Sequence, residues 1–227
     1  MRADAPSRLR PLEITVHQDV LCSWCYLAEL RLEQVRRDFG PLLRWNVKPF
    51  PLHVAPSPPS ERQRQRYLRE LMRARREPDA AAAALSPELW CGPDTPASSL
   101  PALTAVQAVR GLDPAAGNRF ARMLQRVALL DGVNVSRTDV LFELVGQLGI
   151  DGGRFERAWQ APEVLEEVLD AHRHARSRGV RRVPTLVVGG RWMIAGLREV
   201  PEYRELILSC LEPPRSGRHR PTEQALH

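Results

Sequence analysis

The chain has 227 residues, 43% hydrophobic and 26% charged, which is enough apolar material for one buried core and too much for disorder throughout. Lys48 is its only lysine, so 33 minus 1 leaves 32 arginines behind the formal charge of +6, a bias that reflects genome composition more than a nucleic-acid partner. No segment approaches the ~20 apolar residues of a membrane span, and Met1 to Pro11 lacks the apolar run of a secretory signal, so no membrane association and a cytoplasmic location are expected.

Leu12, Ile14 and Val16 alternate with Glu13 and Thr15, the period of a strand buried on one face. A loop with Asp19, Val20 and Leu21 follows. From Ser23 the period lengthens, with Ala28, Leu32, Val35 and Phe39 at helical spacing, and Gly40-Pro41 ends the run. Leu43, Trp45 and Val47 then alternate with Arg44, Asn46 and Lys48, so residues 12–48 spell strand, helix, strand, the unit that demands a right-handed parallel crossover.

Prolines crowd residues 49–60 and mark a stiff exit from that unit. Helices are expected over Arg62–Arg76, Leu100–Arg110, Pro114–Leu130, Thr138–Leu148 and Glu163–Arg178, with breaks at Pro78, Gly111, Asp131-Gly132 and Gly149 and a capping box made by Ser136 and Asp139. Seven arginines between 62 and 76 interleave with Glu61, Glu70 and Glu77, a mixed-charge face expected to meet water. Thr185–Val188, the Gly189-Gly190 turn and Trp192–Ala195 read as a hairpin, and Val200, Tyr203, Ile207 and Leu211 give a closing helix one apolar face. The order βαβ, helical block, ββα is an α/β thioredoxin fold with a large all-helical insertion. Residues 12–56 and 179–212 form the two parts of the fold, 57–178 the insertion, and 1–11 and 213–227 flexible tails.

Cys22-Ser23-Trp24-Cys25 falls where the first strand gives way to the first helix. That spacing puts Cys22 just outside the helix and Cys25 in its first turn, so the sulfurs can meet, and the unsatisfied N–H groups of the helix end favour a thiolate at Cys22. Half of a zinc site is the competing reading, but two further ligands at metal spacing are missing and no metal is expected. Inert burial is the other, and a strand-to-helix loop is expected to be exposed. Asp19 either caps that loop or moves a proton at the pair. Trp90-Cys91-Gly92-Pro93 imitates the start of a redox motif without a resolving cysteine, and Cys210 belongs on the apolar side of the last helix. Val183-Pro184-Thr185 opens the returning strand. A trans edge proline would be ordinary there, but in a thioredoxin fold this loop faces the cysteine pair, and a cis proline at Pro184 is expected.

These motifs resemble the FrnE-type branch of the DsbA-like thioredoxin family over residues 12–211: Cys22 to Cys25 followed by Tyr26, Lys48-Pro49-Phe50, Gly179-Val180 before Val183-Pro184-Thr185, Gly189-Gly190-Arg191, and Ile194-Ala195-Gly196. The resemblance implies a thiol–disulfide oxidoreductase with Cys22 attacking, Cys25 resolving, and Ser23, Trp24, Val183, Pro184 and Thr185 meeting the substrate. Such relatives commonly carry Pro-Trp where this chain has Ser23-Trp24, and an asparagine-containing pattern where it has Ser99-Leu100-Pro101. The implied partners are a dithiol or disulfide substrate, protein or small molecule, and a second copy in a homodimer. No bound cofactor is expected, with glutathione or another low-molecular-weight thiol as candidate co-substrate. Two rivals remain. One is a glutathione-dependent isomerase or transferase of the kappa type, related to 2-hydroxychromene-2-carboxylate isomerase, with Arg198 taking a glutathione carboxylate; the other is a peptide-binding module whose cysteines are incidental.

Overall fold

A computed structural model describes residues 10–54 and 57–211. The expected tails therefore lie outside the described residues except for Arg10 and Pro11, as does Pro56, where the first part of the fold was expected to end.

Four strands, β1 (Leu12–Gln18), β2 (Leu43–Pro49), β3 (Thr185–Val188) and β4 (Trp192–Ala195), form one mixed sheet in the order β2-β1-β3-β4. β1 runs parallel to β2 with Val16 opposite Val47, and antiparallel to β3 with His17 opposite Thr185. Alternation then sorts the side chains by face. Ile14, Val16, Leu186 and Val188 join Leu32 and Val35 of helix α1 (Ser23–Phe39) and Tyr203 and Ile207 of helix α10 (Val200–Leu211) in a core on one side of the sheet. Thr15, His17, Asn46, Lys48 and Val187 look out from the other side, toward helix α9 (Pro162–Ser177).

Between β2 and β3 the chain is helical: α2 (Glu61–Ala74), α3 (Ala80–Ala83), α4 (Glu88–Cys91), α5 (Leu100–Leu112), α6 (Pro114–Leu129), α7 (Thr138–Gln147), α8 (Gly152–Trp159) and α9. These helices share a second core that includes Leu71, Leu103, Val106, Phe120, Leu141 and Phe155. Tyr26 and Leu27 of α1 also pack into it. α1 thus lies between two cores, its Leu32 side under the sheet and its Leu27 side under the insertion, which fixes the helix carrying the cysteine pair from both directions.

Two expectations change, and one helix is new. Gly111 does not break its helix: α5 continues to Leu112, and Asp113 both stops it and starts α6 by accepting from the N–H groups of Ala115 and Ala116 at 2.8 and 3.1 Å. Ser136 caps nothing, because its hydroxyl donates to the Ser98 carbonyl at 2.7 Å, and Arg137 takes the cap position of α7 while pairing with Asp139. Helix α8, absent from the expected helices, opens on Gly152-Gly153, since the Asp151 carboxylate accepts from the Arg154 N–H at 2.8 Å and Phe155 stacks on Trp159 with ring centres 5.5 Å apart.

Candidate active site

Cys22 is the cap residue of α1, in extended conformation, and its sulfur accepts from the Cys25 N–H at 3.3 Å. Sulfur here takes the place that a serine or aspartate oxygen fills at most helix starts, so one orphan donor of the helix end points at it. On its far side the same thiol reaches the Val183 carbonyl at 3.8 Å, across 161 residues of sequence. The Val183–Pro184 peptide is cis, and Pro184 has no N–H to offer, so the loop presents a carbonyl to Cys22. Both thiols are free. Cys25 lies behind, where burial, a hydrogen bond with Cys22 and the charge of that sulfur push its thiol well above the ordinary range.

The cysteines are buried, 5% and 1% exposed, contrary to the exposure expected of a strand-to-helix loop. They pack with Phe50, Val180 and Val183 of the sheet part and Ala175 of α9, and the insertion covers the motif from outside. The Trp24 indole donates to Glu70 of α2 at 3.1 Å, and Tyr67 of α2 lies against Trp90 of α4 with ring centres 4.6 Å apart, so both helices lean over the motif. Cys22 still opens on a cavity of about 890 Å³, walled by Trp24, Phe50, Tyr67, Trp90 and His172 and bounded by the Val183-Pro184 turn. His172 stacks on Phe50 at 4.5 Å, and its buried Nδ1, like the buried Tyr67 hydroxyl, has no hydrogen-bond partner among the described residues. Arg66, Arg176, Arg181, Arg182 and Arg198 also line this space, and none of the five belongs to an ion pair among the described residues. Of the acids that line it, Glu77 and Glu199 pair with Arg31, Glu70 meets Trp24 and Arg73, and Glu202 accepts from the Glu199 N–H at 2.8 Å.

Asp19, fully buried, accepts from the Leu21 N–H at 2.8 Å and the Leu52 N–H at 2.7 Å, so it does cap the loop ahead of Cys22. Burial raises its carboxyl above the ordinary range, partly offset by those two N–H groups and the Ser99 hydroxyl. Its charge also acts on the Cys25 thiol, while its own backbone N–H favours the Cys25 thiolate.

The DSBA-like thioredoxin domain model matches residues 13–207. The chain belongs to this family. The match is to the DSBA-like domain as a whole, whose members are disulfide oxidoreductases, and the FrnE-type branch rests on the motifs alone. Among solved structures, a putative protein disulfide isomerase from Nitrosomonas europaea superposes with a TM-score of 0.76 at 21% identity, covering 88% of this chain and 98% of that one. The cytosolic disulfide reductase DsbM from Pseudomonas aeruginosa, solved with GSH, gives 0.66 at 21% identity over 88% of this chain and 99% of that one. A probable DsbA oxidoreductase from Streptomyces coelicolor gives 0.66 at 16% identity over 90% and 92%. These likenesses carry the fold. No curated protein matches the chain by sequence.

In this DSBA-like chain Cys22, Ser23, Trp24, Val183 and Pro184 share one cavity with Arg198. Thr185 is set apart, fully buried, its hydroxyl donating to the Arg182 carbonyl at 2.7 Å. Cys91 is exposed at the end of α4, and Cys210 is only partly buried against the sheet core. Sequence reasoning missed the walls: Tyr67, Glu70 and Arg66 lie in the run read as a solvated face, and Trp90 was set aside with the imitation motif. Tyr67 and Leu71 at helical spacing were the available signal. No group of three or more His, Cys, Asp or Glu able to hold a metal ion occurs among the described residues, and no described helix is long and apolar enough to cross a membrane.

Proposed function

We propose that the chain exchanges disulfides through Cys22 and Cys25. The Cys22 thiolate attacks one sulfur of a substrate disulfide, forming a Cys22–substrate disulfide and releasing the other substrate sulfur as a thiolate that takes up a proton. Cys25 gives up its proton, attacks the Cys22 sulfur and displaces the second substrate thiolate. Two electrons pass to the substrate, and a Cys22–Cys25 disulfide remains. Run backwards, the same steps oxidise a dithiol. Asp19 accepts the Cys25 proton in this reading: its charge acts on the Cys25 thiol, and burial raises its carboxyl pKa, which makes it a stronger base than an ordinary carboxylate. Ser23, Trp24 and the Val183-Pro184 turn hold the substrate chain against Cys22, and Thr185, buried behind the turn, does not touch it.

The observation that carries this reading is the position of one sulfur: Cys22 at the mouth of α1, between the Cys25 N–H and the Val183 carbonyl, on the wall of an open cavity. Five arginines around that cavity, none in an ion pair among the described residues, favour an anionic substrate, and glutathione disulfide is a small one of that kind, in keeping with a similar cytosolic reductase solved with GSH. A cytoplasmic site of action accords with such a substrate.

Insulin-disulfide reduction and dithiol oxidation, assayed with wild type, Cys22→Ser and Cys25→Ser, test the proposal. Both variants should lose turnover, and Cys25→Ser should accumulate a mixed disulfide with substrate. Saturation by glutathione with Cys25→Ser still active would instead mean kappa-type chemistry. No turnover in wild type, with unchanged peptide retention in both variants, would mean a binding module.

A further inference from the structure

The run expected to show water a mixed-charge face is sorted by sign in the structure. Arg62, Arg66, Arg69 and Arg73 of α2 are all exposed and, at 3.6 residues per turn, fall within a band about 60° wide. Arg76, also exposed, follows in the turn after the helix, its N–H donating to the Arg73 carbonyl at 3.0 Å. The three glutamates of the run are engaged: Glu61 pairs with Arg64 at 3.9 Å, Glu70 meets Trp24 and Arg73, and Glu77 pairs with Arg31. Arg62, Arg66, Arg69 and Arg76 form no ion pair among the described residues. Between residues 61 and 77, seven arginines against three glutamates leave an excess of four positive charges. Like charges three and four residues apart repel along a helix, so this row costs α2 stability rather than adding to it.

The row starts at the redox cavity and leaves it. Arg66, Tyr67 and Glu70 of α2, with Glu77 just beyond, belong to the cavity wall, whereas Arg62, Arg69, Arg73 and Arg76 lie outside it. The wall itself is positive when every charged group is counted, with six arginines, Arg31 included, against Glu70, Glu77, Glu199 and Glu202. At 1.5 Å per residue the row extends that excess over about 16 Å from Arg62 to Arg73. A small disulfide inside the cavity would meet Arg66 and leave the rest of the row unused. Leu52 and Val54, apolar and exposed, stand on the same wall.

We infer that the arginine row of α2 docks an acidic stretch of a polypeptide substrate while a disulfide of that substrate lies at Cys22. The inference rests on the disulfide-exchange reading above and names the class of substrate. Carboxylates spaced along an extended chain can each take a guanidinium fork, and the length of the row calls for several of them. A nucleic acid would meet the same charge, but it brings no sulfur to Cys22 and nothing to set against Leu52 and Val54. A polypeptide supplies the disulfide, the acids and the apolar side chains together.

Two measurements on the full-length chain test the inference. Fluorescence anisotropy with a labelled, cysteine-free polyglutamate peptide of about ten residues, long enough to span the row, reads docking without thiol chemistry. Saturable binding at low salt is expected, weakened about tenfold in the triple variant Arg62→Gln, Arg69→Gln, Arg76→Gln and by raising salt to about 0.3 M. Reduction of two peptide disulfides that differ only in flanking Glu or Gln reads its consequence. Wild type should favour the Glu-flanked peptide about tenfold in kcat/KM, mainly through KM, and the triple variant should lose that preference. Docking as expected in a chain that reduces neither peptide would sink the exchange reading and leave the acidic-polypeptide surface standing. Equal rates on the two peptides, no saturation up to about 1 mM, equal affinity in wild type and the triple variant, or tighter binding of a single-stranded oligonucleotide of equal charge overturns the inference.

Discussion

Cys25 is 1% exposed, and burial together with the adjacent Cys22 sulfur keeps its thiol well above the ordinary range, whereas Cys22 borders an open cavity and Cys91 is exposed. A short exposure of the reduced native protein to iodoacetamide at neutral pH should therefore modify Cys22 and Cys91 and spare Cys25, as read by peptide mass. Labelling of Cys25 as fast as Cys91 would remove the asymmetry on which the proposed attacking and resolving roles depend. Asp19 gives a second prediction. Its folded pKa is raised above 3.8, so the stability it lends is full below that value and drains away as pH rises through the folded pKa. Asp19→Asn has no such drain. Urea unfolding across a pH series should show the variant less stable by about 1–3 kcal/mol near the acid end, since one amide N–H then faces a backbone N–H, with the gap narrowing as pH rises. The cysteine pair and Asp19 were legible because their chemistry follows from residue type and from position beside a strand end. Tyr67 and His172 were not, because an aromatic on a helix becomes part of a site only through what the helix leans on.

Helices in the insertion are held by a few close approaches. A Cβ on Gly117 of α6 would stand 2.5 Å from the Arg110 Cβ and 2.7 Å from its Cα on α5, so these two helices meet at a point that admits only hydrogen. Gly117→Ala gains about 1 kcal/mol of helix propensity yet should lower stability by about 1–3 kcal/mol net, because the displaced group is backbone. A gain in melting temperature would show that α5 and α6 can move apart. Arg31 of α1 ties three elements together: it pairs with Glu77 and Asp79 in the connection from α2 to α3, with Glu199 ahead of α10, and donates to the Arg198 carbonyl at 3.0 Å. With its side chain only 4% exposed, Arg31→Met should cost about 3 kcal/mol in thermal or urea unfolding, since partly buried carboxylates would lose their partner. An effect below about 1 kcal/mol would make the network a surface decoration. Helices with apolar periodicity were legible from sequence, but α8 was hidden behind two glycines, and its start becomes readable only once Asp151 is taken as a cap and Phe155 and Trp159 as neighbours one turn apart.

Across the whole molecule, alternation in β1, β2 and the closing hairpin gave away the thioredoxin sheet, and the break between them gave away an insertion. The space between the sheet and α9 was not legible, since Thr15, Asn46 and Lys48 look like any polar strand face until α9 is seen to stand off from them. His17 makes that face measurable. Its folded pKa of about 4 lies below the ordinary 6.5, so the unfolded chain binds a proton that the native one refuses, and stability should fall as pH drops between those values. The full effect is about 3 kcal/mol, opposite in sign to that of Asp19. His17→Gln should flatten this slope in a denaturation series, and an unchanged slope would locate the acid sensitivity elsewhere.

β3 lies between β1 and β4 in the sheet although the whole insertion separates it from β1 in the chain, and Val183 meets Cys22 across 161 residues. During synthesis, then, both cysteines leave the ribosome long before the strand and turn that flank them. A nascent chain halted ahead of Val183 would carry β1 with one side unpaired and a dithiol without the turn that faces it. Thiol chemistry on that intermediate would be unselective, so the order in which the polypeptide emerges makes it vulnerable to stray oxidation until the returning strand has been made.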